Sequence, residues 1–149
     1  MLSHKLWLVR ICVALSILPL FIASSYAHDL WVDRYRRFEY YQKPLELWAP
    51  FWLSTLLLII VGVLLGISPE VFFHPRDVGF KPVEFIVSAI IPIFVLIFIP
   101  LAFSNTHVYS LLRSLPHYIY NSYIFYGFGR LASSIWIGVA IGKAIHIRQ

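Results

Sequence analysis

The chain alternates long apolar stretches with short polar ones, and the lengths of the apolar stretches decide what they can be. Residues 47–67 are 21 consecutive positions without a charge. At 1.5 Å per residue a helix of that length is about 31 Å long, enough to cross roughly 30 Å of hydrocarbon. Residues 84–103 form a second such stretch, uncharged after Glu84. Pro92 and Pro100 lie eight residues apart on it. Each removes a backbone donor and crowds the preceding turn, so kinks are expected there. A third apolar stretch runs over 119–145 and contains Arg130.

The beginning of the chain has two readings. Lys5 and Arg10 precede an apolar run over 11–23, and Ser25-Tyr26-Ala27 follows as a small-x-small pattern. This is the layout of a signal peptide cleaved after Ala27, which would make His28 the new N-terminus. Left uncut, residues 6–25 are long enough to be a first membrane helix.

Two shorter segments have an amphipathic pattern. Within 28–46, Trp31, Tyr35 and Phe38 recur at helical spacing, and Leu45 continues the stripe past Pro44. Asp33 with Arg37, and Glu39 with Lys43, are acid-before-base pairs four apart, the favourable order in a helix. Such a helix either lies on the headgroups or packs against the spans. In the second segment, Val108, Leu111, Leu112 and Leu115 share one face, opposite Ser110, Arg113, Ser114 and His117. The intervening loop 68–83 is broken by Pro69, Pro75 and Gly79.

The predicted fold is therefore all-α, a polytopic membrane protein. It has three transmembrane helices after a signal peptide, or four if that segment is retained, plus two short interfacial helices. The divisions are 1–27 (signal peptide or first helix), 28–46 (extracytoplasmic amphipathic segment) and 47–149 (transmembrane bundle).

Composition supports this picture. Of 149 residues, 60% are hydrophobic and 13% charged, about half the charge of a soluble domain. The net charge of +5 does not point to nucleic acid, because the basic residues are scattered between apolar blocks and form no face that could displace counterions from phosphates. The expected partners are the lipid bilayer and other membrane-protein subunits. With a single cysteine, Cys12, no intramolecular disulfide can form. Basic residues divide almost evenly between the two sides, so orientation rests on the N-terminal signal. It places the unprocessed N-terminus and the C-terminus in the cytoplasm, in a cell (inner) membrane.

Few residues are candidates for chemistry. Arg130 stands out, because a charge at the bilayer centre costs on the order of 3 kcal/mol on insertion scales. It either faces the bundle, as part of a substrate or ion path, or lies near the outer end of a span with its head among the headgroups. Arg113 is the other candidate for such a path. Ser134, Gly138 and Gly142 fall four apart on one face, a spacing that lets two helices approach closely. His28, His107 and His117 share the outer side, and imidazoles suit copper, nickel or zinc, although none has tight ligand spacing. Phosphate-loop, dinucleotide, zinc-protease and nucleophile-elbow motifs are absent.

These features lead to the expectation of a non-catalytic subunit or assembly factor of a larger membrane complex. The alternatives are a small transport component with Arg130 lining its path, and an extracytoplasmic metal-binding protein that uses a processed His28.

Overall fold

The computed structural model describes residues 2–36, 44–73, 78–104 and 127–147, together with 110, 114 and 116. Four helices make up most of it: α1 (Leu2–Arg36), α2 (Pro44–Gly66), α3 (Pro82–Ser104) and α4 (Phe128–Ala144). Two helices are long and apolar enough to cross a membrane, α1 over His4–Tyr35 and α2 over Trp48–Gly66. The apolar run Pro82–Phe98 of α3 is shorter. Large apolar side chains face outward along α1, α2 and α3, with Leu15, Ile91 and Phe94 each about 70% exposed. Water tolerates only limited contiguous surface of this kind, whereas lipid does not penalise it.

Neighbouring helices follow the order α1–α2–α4–α3. α1 runs antiparallel to α2: Ser24 meets Ser54 near one end, and Arg10, Val13 and Ala14 lie beside Leu64, Leu65 and Ile67 at the other. α2 and α4 run in the same direction, since Ser54 meets Arg130 and Gly62 meets Gly138. α3 is opposed to α4, and their shared end is tied by a short antiparallel ribbon. β1 (Val78–Phe80) pairs with β2 (Ile145–Ile147) in the register Val78↔Ile147, Gly79↔His146 and Phe80↔Ile145. The Lys81 amide extends the ladder by donating to Ala144 O at 3.0 Å. A 3-10 turn at Pro69–Phe72 leads from α2 towards this ribbon end.

The tightest contact is between α2 and α4. A Cβ at Gly66 would lie 2.5 Å from Val139 O, and one at Gly142 would lie 2.7 Å from Val63 O. At Gly62 and Gly138 it would run into the carbonyls of Ile135 and Ile59. No side chain fits between these backbones. The four glycines therefore set the separation of the two helices.

α1 continues without a break through Ser25-Tyr26-Ala27. Two boundaries differ from expectation. Residues 28–36 are the last turns of α1 and not a separate helix, and Trp31 is buried in the bundle core, as the packing alternative for this stripe has it. α4 begins at Phe128 rather than near 119, after Gly127 in a left-handed conformation (φ 69°). Pro92 and Pro100 both lie within one continuous α3. Residues 37–43, most of the segment 104–117, and 119–126 lie outside the described residues.

Candidate functional site

The end of the bundle opposite the ribbon holds a cluster of buried polar side chains. Two elements position Arg130. It occupies the first turn of α4, and the glycine contacts further along hold that helix against α2. Its side chain is only 4% exposed, so it turns into the bundle and does not reach out to solvent. Arg130 Nη1 donates to Ser54 Oγ on α2. Ser24 Oγ on α1 in turn donates to Ser54 O at 3.1 Å, and the two serine hydroxyls are 3.2 Å apart. Three helices thus meet at one polar junction. Ser134 Oγ donates back to Arg130 O at 2.6 Å, one turn along the same helix.

An aromatic cluster surrounds the junction. The Arg130 guanidinium carbon lies 6.0 Å from the Phe51 ring centre, within reach of a cation–π attraction. Trp31 stands among His28, Tyr35, Trp48 and Phe51 at centroid distances of 5.4–6.1 Å. His28 also touches the start of α4: a Cβ at Gly127 would lie 2.9 Å from His28 Cε1.

Arg130 has no ion pair with a carboxylate among the described residues; the Lys81–Glu84 bridge, at 2.9 Å, lies at the opposite end of the bundle. Its Nε is buried without a hydrogen-bond partner, as is Thr55 Oγ1. The helix it belongs to begins without a side-chain cap, because its N-cap residue is Gly127.

No protein-family model, curated protein or solved structure matches the chain.

The remaining expected residues are dispersed. Ser134, Gly138 and Gly142 lie along the buried side of α4, the two glycines against α2. Pro92 is buried on α3 and Pro100 is half-buried. His28 is inside α1, and Arg113, His107 and His117 fall outside the described residues. Among the described residues no group of three or more His, Cys, Asp or Glu could hold a metal ion.

Ser24, Ser54 and Thr55 do not stand out in the sequence, since single hydroxyls are common in apolar helices. One signal for the partner surface is present in the sequence: Gly62 and Gly66 repeat the four-residue spacing of Gly138 and Gly142.

A second feature is a groove of about 820 Å³ between α3 and α4, lined mainly by apolar side chains such as Val87, Ile91, Val95, Trp136 and Val139. Ser88, Ser133 and Lys143 supply its polar groups. Pro92, also on the groove wall, has no N–H to bond the Ser88 carbonyl one turn earlier.

Proposed function

We propose that the chain is a non-catalytic subunit or assembly factor of a larger membrane complex, with all four helices crossing the bilayer and α1 retained. The observation that carries this reading is the α3–α4 groove. α3 packs chiefly on α4 and presents the rest of its circumference outward, with Val87, Ile90, Ile91 and Phe94 all at least 60% exposed. In lipid, helices associate through close packing and hydrogen bonds rather than through escape from water. A groove with small residues at Ala132, Ser133 and Ala140, and a freed carbonyl at Ser88, provides both. Its fitting occupant is a transmembrane helix of another subunit carrying a hydrogen-bond donor at the depth of Ser88 and an acidic residue near Lys143.

Retention of α1 is supported by its packing, because Ser24, Ala27 and Trp31 are all buried. The orientation proposed with it has the ribbon end in the cytoplasm of a cell (inner) membrane and the Arg130 end outside, supported by Lys5 and Arg10 at the start of α1. The transport reading has less support. Along the α2–α4 seam beyond Arg130 the backbones touch at Gly62 and Gly138, leaving no room for a path. The metal reading needs a free amino group at His28, which an intact α1 does not offer.

Purification of the tagged full chain in mild detergent tests the proposal. A second membrane protein should co-purify in fixed stoichiometry, and the chain should be degraded when that partner is missing. A stable, self-contained homo-oligomer that retains no other protein contradicts the reading.

A further inference from the structure

We infer that Arg130, Ser54 and the uncapped first turn of α4 form a binding site for a phosphate group, borne by a lipid headgroup or by the free ion. This inference is independent of the subunit reading.

Three observations converge on it. First, the Arg130 guanidinium is more than nine-tenths buried with no carboxylate paired to it among the described residues, and its Nε–H has no partner. An arginine offers five donors in a planar fork. Ser54 takes one of them and thereby fixes the orientation of the fork.

Second, the guanidinium lies at the positive end of its own helix. Nη2 is 3.6 Å from the position a Cβ would take on Gly127, the N-cap of α4. The N–H groups of Phe128, Gly129 and Arg130 have no acceptor within the helix, and glycine offers no side-chain oxygen to cap them. A cation at a helix N-terminus is an unfavourable arrangement. Two positive sources at one point, neither neutralised by the described residues, are stabilised together by one anion.

Third, the donor set suits phosphate. A guanidinium fork and first-turn amides are both common phosphate ligands. The ring of Trp31, Tyr35 and Trp48 at the same end has the composition of a membrane interface, the depth at which a headgroup phosphate sits.

The test uses the purified full chain and two probes. In one, Tm is measured in sodium phosphate against sodium gluconate at equal ionic strength. In the other, native mass spectrometry measures retention of phosphatidylglycerol against a diacylglycerol with the same acyl chains, which carries no phosphate. Retention of one phosphatidylglycerol identifies a headgroup. A Tm rise on the order of 5 °C at about a hundredfold excess over Kd identifies the free ion.

Either response should vanish in Arg130→Gln. Should that variant fail to fold, Ser54→Ala decides, because it leaves the guanidinium in place but frees its orientation, and apparent affinity should fall about tenfold. A wild-type protein that responds to neither probe overturns the inference. So does a response unchanged in Arg130→Gln or, where that variant does not fold, in Ser54→Ala.

Discussion

Arg130 Nη1 donates a hydrogen bond to Ser54 Oγ, and Ser54 in turn receives Ser24 Oγ at its carbonyl. Through that relay the first turn of α4 is fastened to α2, and α2 to α1. The two serines are not equivalent. Ser54 satisfies a buried charged donor, whereas Ser24 adds a bond to a carbonyl that the helix already uses. Ser54→Ala should therefore destabilise the protein by about 2 kcal/mol and Ser24→Ala by about 1 kcal/mol. Thermal unfolding of both variants in the same detergent measures the difference, and equal losses would show that the relay has no direction.

The glycine seam makes a sharper steric prediction. Gly138→Val places a branched side chain against the Ile59 carbonyl and the Gly62 backbone. The helices must separate, at a cost of about 3 kcal/mol or loss of folding, at the upper end of overpacking effects. Leu56→Val, on the exposed side of α2 and outside the groove, should change stability by less than about 0.5 kcal/mol. Tm values for the pair check this.

Gly127 combines backbone strain with a side-chain contact. Gly127→Ala forces a left-handed φ of 69° on a residue with a Cβ and drives that Cβ into the His28 ring. The expected loss is about 2 kcal/mol, of which the strain accounts for about 1 kcal/mol. Adding His28→Ala should recover the steric part and leave the strain. A double-mutant cycle on unfolding free energies separates the two, and strict additivity would remove the His28 contact from the account.

Retention of α1 is directly measurable. Intact mass of the purified protein should correspond to the whole 17.3 kDa chain. A mature N-terminus at His28 would remove Ser24 and Ala27 from the bundle and refute a four-helix arrangement.

The sequence shows some of this plainly and hides the rest, for physical reasons. An uncharged run such as 47–67 has few other places to reside, so the core of α2 is visible from length alone. The continuity of α1 is not, because helix and cleavage site use the same small residues at Ser25 and Ala27. The burial of Trp31 is hidden for a similar reason, since an aromatic stripe looks alike whether it meets lipid or α2. Arg130 is conspicuous as a charge among apolar residues. Its direction depends on where α4 begins, which a left-handed Gly127 decides and a hydrophobicity pattern does not register. Ser54 becomes informative only once Arg130 is beside it. The ribbon of three-residue strands is too short to leave any period.

The subunit reading is tested most directly by position-specific photo-crosslinking in native membranes. A probe replacing Ile91, in the α3–α4 groove, should capture a single membrane protein also recovered by co-purification. The same probe at Leu15, exposed on α1, should capture none. Equal labelling at both positions, or lipid alone at Ile91, would contradict a groove built to receive a partner helix.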